Sequence, residues 1–370
     1  MPAAVPSPPV PAFLAIAAGI LVAAVGLWTG GSSDAIAQTA PTGPRDFVYQ
    51  LNGTPVAGQL IELNRQGAVL EVRGGRKEVP LDAIERVTFA GEPRGLTQGR
   101  EMLRSGQIES AVEELQKLKA DDFSRPEILE DWKVQLGLGR AELALRGAGD
   151  AKAAGRELAE YWKTHPESYY RLAVSRVLGD LSMGIGNFES AVKFYGELTR
   201  SPFARFQLQG SLLEAKALQS AGQFDKALQR YQQAQDLAGK NGSGSDPAEE
   251  VDRLLAQVGV AACLAESGKA AEAETKLIEL IRATDNRHQR LFAAAYNALG
   301  AAYRHQQRPT DSLLAYMHVH LLFPQDPSAH AEALYYLKGL WTTLKRPEEA
   351  SKVDQLLKSR YGNSPWAAKS

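Results

Sequence analysis

The chain has 370 residues, enough for two or three domains, and its 44% hydrophobic content is ordinary for a folded protein. Its net charge of −1 gives no electrostatic case for binding nucleic acid or an anionic membrane surface. The single cysteine, Cys263, excludes a disulfide framework within the chain and a cysteine-based zinc cluster.

The N-terminus predicts a targeting segment. An almost wholly apolar run from Val10 to Trp28 precedes the small-residue phrase Ala35-Ile36-Ala37, so residues 1–37 are expected to be an export signal cleaved after Ala37. The run is also close to the roughly 20 residues that span a bilayer, so an uncleaved anchor over 10–28 remains open. We expect an exported, periplasmic or envelope-associated protein that contacts the membrane only through this segment, if it is retained.

After a predicted linker at 38–45, the hydrophobic pattern takes the period of two that is typical of strands. Asn52-Gly53 is a strong hairpin signal. Within 46–90 the pattern predicts five short strands, at 47–51, 56–63, 68–73, 77–80 and 84–89. Five such strands bury a core by curling into a small barrel, and the region resembles SH3-like and Sm-like barrels. The resemblance implies a capping or docking module, and RNA binding is not expected.

The region 91–370 contains no strand pattern and predicts helices. A turn residue followed five positions later by a small residue recurs at spacings of 36 to 46 residues, which is typical of stacked helix hairpins. The seven pairs are Gly106/Ala111, Gly149/Ala154, Gly186/Ala191, Gly222/Ala227, Gly268/Ala273, Gln307/Ser312 and Lys345/Ala350.

The clearest copy carries a family resemblance. Tyr296, Leu299-Gly300, Tyr303, Ser312 and Tyr316 have the order and spacing of large, small and aromatic positions in a tetratricopeptide repeat, and the copy resembles that motif. The expected fold is an all-α helical-repeat superhelix, a tetratricopeptide-like α-solenoid of about seven hairpins, behind a small all-β barrel. The phrase 361–367 resembles the inter-repeat phrase of envelope tetratricopeptide proteins.

A search for catalytic motifs finds none. The sequence has no Walker loop, no G-x-S-x-G elbow and no H-E-x-x-H motif. His318 and His320 are two positions apart and point to different sides of a helix, so a shared metal ion is not expected. We therefore expect no enzyme, no metal site and no cofactor.

The family resemblance implies a partner-binding groove on the concave face, formed by the first helix of each hairpin. Transferring the family's groove positions gives Arg176, Asp180, Lys216, Asn297, Arg304 and Tyr335. Their mixed charge does not match a carboxylate clamp, so the expected ligand is an extended or helical segment of an envelope protein. The alternative is a glycan or small-molecule binder that uses aromatic residues of the groove. Those residues are Tyr296, Tyr303, Tyr316, Tyr335, Tyr336 and Trp341.

Overall fold

The computed structural model describes residues 45–240, 247–285, 287–362 and 364–369. The expected export segment, nearly all of the linker and part of the glycine- and serine-rich insertion at 239–247 lie outside these residues. None of the helices in the described ranges combines the length and the apolar character required to cross a bilayer.

The first part of the described chain is a five-stranded antiparallel sheet. Its strands are β1 (Asp46–Gln50), β2 (Pro55–Asn64), β3 (Gly67–Val72), β4 (Gly75–Pro80) and β5 (Ile84–Thr88). The order β4-β3-β2-β1-β5 places the first strand between the second and the last. All five predicted strands are present, within about two residues at most ends. An SH3-like or Sm-like barrel stays a prediction.

The rest of the described chain is helical and forms seven hairpins with one short closing helix. The first helices of the hairpins are α1 (Arg94–Arg104), α3 (Pro126–Leu145), α5 (Arg171–Gly184), α7 (Ala204–Ser220), α9 (Pro247–Glu266), α11 (Gln289–His305) and α13 (Pro327–Thr343). The second helices are α2 (Ile108–Gln116), α4 (Ala151–Thr164), α6 (Phe188–Thr199), α8 (Phe224–Lys240), α10 (Ala270–Ala283), α12 (Pro309–Leu322) and α14 (Pro347–Tyr361). Helix α15 (Pro365–Lys369) closes the array.

Each described hairpin turns in the same way. The seven turn residues of the sequence pattern all have a positive φ, including the non-glycine residues Gln307 and Lys345, both at 58°. Each first helix ends with a backbone N–H bonded to the carbonyl five residues earlier, at 2.8–3.0 Å, which satisfies a carbonyl that the helix end leaves free. The turn after α3 lies two residues earlier than predicted. Gly147, and not Gly149, directly precedes the residue whose N–H makes this hydrogen bond.

Small residues allow the two helices of a hairpin to cross closely. A Cβ added at Gly179 of α5 would lie 2.3 Å from the ring of Tyr195 on α6. One added at Gly300 of α11 would lie 2.7 Å from the ring of Tyr316 on α12. Tyr195 and Tyr316 are 2% and 0% exposed, so the rings fill space that a larger residue opposite them would need. A small residue is therefore required at these two positions, and the aromatic ring fills the crossing within its own hairpin.

Lys345 gives a test of the turn geometry. We expect Lys345→Gly to raise the free energy of unfolding by about 0.5–1 kcal/mol, because a left-handed conformation costs a residue with a Cβ more than it costs glycine. Lys352→Gly, in the interior of α14, is the control and should lower stability by about 1 kcal/mol. Urea unfolding measures both changes. A stability loss in both variants would contradict the account.

The sheet and the first hairpins share one hydrophobic core. Val48 and Phe89 of the sheet region belong to the same buried cluster as Leu96, Ile128 and Leu136 of the helices. The sheet therefore packs directly on the first hairpins. The sheet lies at the N-terminal end of the helix array, and hairpins three to seven form the groove described next.

Candidate functional site

The first helices of hairpins three to seven present a row of charged and aromatic side chains. We call the surface formed by this row on α5, α7, α9, α11 and α13 the inner groove. Lys216 on α7 and Glu332 on α13 act on each other electrostatically although they belong to hairpins four and seven. The row of first helices therefore brings charges on α7 and α13 within electrostatic range of each other.

At one end of the inner groove, Arg176 and Asp180 lie one turn apart on α5. Arg176 Nε is 3.8 Å from Asp180 Oδ2, and the Tyr195 hydroxyl donates a 2.7 Å hydrogen bond to Asp180 Oδ1. Burial raises the pKa of Asp180, and the Tyr195 hydrogen bond, Arg176 and Lys216 act in the opposite direction. The predicted residues Arg176, Asp180 and Lys216 therefore form one electrostatic group.

At the other end, Arg304 and Tyr335 line one cavity of about 580 Å³. Tyr336 and Gly339 of α13 also line it. Arg304 Nη2 donates a 2.9 Å hydrogen bond to Glu266 of α9, and its guanidinium lies 5.0 Å from the centre of the Tyr336 ring. The cavity thus has a basic and aromatic wall whose arginine is already held in place.

Asn297 is the one predicted groove residue that the structure places inside the packing. It is 4% exposed, and its Nδ2 donates a 2.9 Å hydrogen bond to the carbonyl of Ala329 at the start of α13. Asn297 therefore ties α11 to α13, and we do not count it among the residues that a ligand reaches.

The sequence prediction missed Glu332, the most unusual group in the inner groove. This carboxylate makes no hydrogen bond and no ion pair within 4 Å with any residue that the structure describes. Burial raises the pKa of Glu332 to about 7, while Lys216 lowers it and Asp326 and Glu266 raise it. In the sequence, Glu332 is a glutamate one helical turn before Tyr336. The repeat pattern does not distinguish it from an ordinary solvent-exposed glutamate.

Several aromatics named for the glycan alternative belong to the packing. Tyr316 is fully buried under Gly300, and the Tyr296 ring stacks on His318 with centroids 4.6 Å apart. Tyr335 and Tyr336 line the cavity but also contact Trp366 of α15, at 5.4 and 5.7 Å between ring centroids. This arrangement does not favour a sugar-binding surface.

His320 of α12 and His330 of α13 form a chain of hydrogen-bonding groups with Tyr361 of α14. His330 is 1% exposed, its Nε2 lies 2.8 Å from His320 Nδ1, and its Nδ1 lies 2.7 Å from the Tyr361 hydroxyl. Burial, then His320 and Arg360, lower the pKa of His330 to about 4, and burial lowers that of His320. Both rings are therefore neutral at neutral pH, each with one N–H for the chain of hydrogen bonds.

This chain predicts acid sensitivity at the C-terminal end. In the unfolded chain His330 takes up a proton near pH 6.5, whereas in the folded chain it stays neutral down to about 4. The unfolded state binds more protons in that window, so the free energy of unfolding should fall by roughly 1–2 kcal/mol from pH 7.5 to 5.5. Urea unfolding at the two pH values measures it. In His330→Gln the dependence should flatten, and an unchanged dependence would contradict this assignment.

No protein-family model matches the chain, and no curated protein matches it. Solved structures do match. The chain is similar to a tetratricopeptide repeat protein from Parabacteroides merdae, with 14% identity, a TM-score of 0.53, and 72% of this chain and 91% of that one covered. It is also similar to NprR in complex with its cognate peptide NprX, with 15% identity, a TM-score of 0.52, and coverage of 74% and 81%.

A third similar structure is a Rap protein complexed with Competence and Sporulation Factor. The identity is 13%, the TM-score is 0.53, and 74% of this chain and 77% of that one are covered. At such identities the likeness shows the fold alone. The helical part of the chain is a tetratricopeptide-like solenoid, as the repeat pattern predicts.

Proposed function

We propose that the protein is a non-enzymatic scaffold of the cell envelope that binds a segment of a partner protein in the inner groove. The observation that carries the proposal is the open cavity of about 580 Å³ at the C-terminal end of that groove. Aromatic side chains, amide and hydroxyl groups, and basic side chains line it together, which is a composition suited to a peptide with both side-chain and backbone groups.

The comparisons support a peptide ligand indirectly. NprR and the Rap protein were solved with a peptide and with Competence and Sporulation Factor, respectively, and they share the fold of this chain. An array of stacked hairpins offers a long surface on its first helices, which an extended or helical segment can follow. Of the predicted groove residues, we assign contacts to Arg176, Asp180, Lys216, Arg304 and Tyr335.

The envelope location rests on the N-terminal sequence. An apolar run followed by Ala35-Ile36-Ala37 is typical of exported proteins. In this account the five-stranded sheet is an SH3-like docking module at one end of the solenoid. Cell fractionation followed by N-terminal sequencing tests the location. A mature chain in the envelope that begins at Gln38 supports the cleaved form, an intact N-terminus in the membrane supports the anchor, and a cytoplasmic chain contradicts both.

Binding is tested by cross-linking the full-length protein in its own cells and identifying the proteins that co-purify. The double variant Arg176→Ala/Tyr335→Ala changes two residues of the inner groove. The control Leu314→Ala/Lys352→Ala changes two exposed residues of the second helices α12 and α14. We expect specific partners to be lost only from the groove variant. Partners retained by the groove variant and lost from the control would contradict the proposal.

A further inference from the structure

The carboxylate of Glu332 is charged or half-charged near neutral pH and has no partner in the described part of the protein. It lies on α13 with Tyr335, Tyr336 and Gly339, which follow it by three, four and seven residues and so share its side of the helix. A Cβ at Gly339 would meet nothing within 4 Å, so the surface beside Tyr336 is open. Glu332 itself is half-buried, and burial disfavours its ionised form, so a cation that reaches the carboxylate would offset that cost.

A second buried polar group lies within electrostatic range of Glu332. Tyr316 is 0% exposed, and its hydroxyl makes no hydrogen bond of good geometry. After burial, Glu332 is the neighbour that most strongly raises the pKa of Tyr316. The Arg304 guanidinium lies beside the hydroxyl oxygen, which leaves the hydroxyl hydrogen to donate to the carboxylate, where it would stabilise the ionised form that a cation requires.

The charged groups around Glu332 determine whether its ligand is a cation or an anion. The charged groups that act on the Glu332 carboxylate from other parts of the chain are Lys216 of α7, Glu266 of α9, Asp326 before α13 and Lys369 of α15. The charge of Glu332 in turn affects the pKa values of Tyr231, Tyr316 and Tyr336. Lys216 is exposed and lies within electrostatic range of Asp180 as well, so it can shift toward Asp180 when another cation arrives. Lys369 is held over the Trp366 ring at 4.6 Å.

We propose that Glu332 receives a lysine or arginine side chain of the bound segment, whose aliphatic stem lies on Tyr335 and Tyr336. This inference rests on the proposed function and names one feature of its ligand. The unpaired carboxylate supplies the acceptor, the tyrosine rings supply an apolar and cation-attracting wall, and the space beside Gly339 admits the side chain.

Selection from a phage-displayed library of random twelve-residue peptides tests the inference. The targets are the full-length protein, Glu332→Gln, which keeps the shape and removes the charge, and the control Glu279→Gln on the exposed side of α10. We expect enrichment of lysine or arginine at one peptide position with the unchanged protein and with Glu279→Gln. With Glu332→Gln, peptides should still be selected but without that enrichment.

The outcomes separate the two proposals. If peptides are selected without a basic position, or the basic position persists with Glu332→Gln, the inference is wrong and the groove still binds peptides. If the unchanged protein selects no peptide, the proposed function fails and the inference fails with it.

A binding assay on the unchanged protein gives a test that does not depend on any variant folding. Replacing the basic residue of a selected peptide by norleucine should weaken binding at least tenfold. Because a protonated Glu332 must lose its proton to pair with a cation, affinity should rise about tenfold from pH 6 to pH 8. Equal affinity of both peptides would overturn the inference.

Discussion

Arg100→Met is expected to destabilise the protein by about 3–5 kcal/mol, because it leaves buried carboxylates without their counter-ion. Arg100 of α1 pairs with Glu92, and its Nη1 lies 3.1 Å from Asp131 Oδ2 of α3. The same Nη1 donates a 2.7 Å hydrogen bond to the carbonyl of Val87 in β5. The side chains of Arg100, Glu92 and Asp131 are 12%, 8% and 2% exposed, so water cannot replace the lost contacts.

The rest of the network explains why the loss is concentrated at the junction of sheet and helices. The Tyr170 hydroxyl, just before α5, donates a 2.6 Å hydrogen bond to Asp131 Oδ1. Burial raises the pKa of Asp131, and Arg100 and Tyr170 oppose this effect. Removing Arg100 leaves Asp131 close to a like charge on Glu92, so β5, α1, α3 and α5 all lose support.

Urea unfolding measures this loss, and hydrogen exchange locates it. Arg140→Met is the matched control, since Arg140 and Glu157 form a solvent-exposed pair at 3.0 Å whose removal should cost less than about 1 kcal/mol. In Arg100→Met we expect faster exchange in β5, α1 and α3, the elements that Arg100 joins. A loss below 1 kcal/mol, equal to that of the control, would contradict the account.

Gly300→Ala and Gly339→Ala are expected to change stability in opposite directions. Alanine normally stabilises a helix interior by about 0.5–1 kcal/mol over glycine, and Gly339 of α13 has open space for the added methyl group. At Gly300 of α11 the methyl group would lie 2.7 Å from two ring atoms of Tyr316, which is fully buried and cannot retreat. We expect Gly300→Ala to cost about 2–3 kcal/mol, as overpacking in a dense core does.

A double-mutant cycle identifies the cause of the Gly300 effect. In the Tyr316→Leu background the obstacle is smaller, so Gly300→Ala should cost less there than in the unchanged protein. Thermal or urea unfolding of the four proteins gives the coupling energy. Additive effects, or a stabilising Gly300→Ala, would show that the close helix crossing does not constrain this position.

The sequence predicted the hairpins because their signals are local. A helix that ends in a residue with a left-handed backbone conformation favours glycine at that residue. This preference recurs at the same position of each repeat. The phase alone located the turns at Gln307 and Lys345, where no glycine is present. It located the turn after α3 two residues late, because Gly147 and Gly149 both have positive φ and the sequence does not say which one closes the helix.

The site was only partly predictable because its geometry is not local. Arg304 and Tyr335 line the same cavity, yet Asn297 lies inside the packing, where it bonds to the backbone at the start of α13. Glu332 differs from a solvated glutamate because neighbouring elements bury it, while Lys216 of α7 comes within electrostatic range and opposes the effect of burial. Small rotations between successive hairpins add up to bring α7 within range of α13. The sequence of a single repeat does not reveal that sum.

The most direct test of the central claim is site-specific photo-cross-linking in cells that contain the full-length protein. A benzophenone amino acid replaces Tyr335 in the inner groove or, as the control, Leu314 of α12, which is 53% exposed on a second helix. The account predicts a covalent adduct with a defined partner protein from position 335 and none from position 314. An adduct from position 314 with none from position 335 would contradict partner binding in the inner groove.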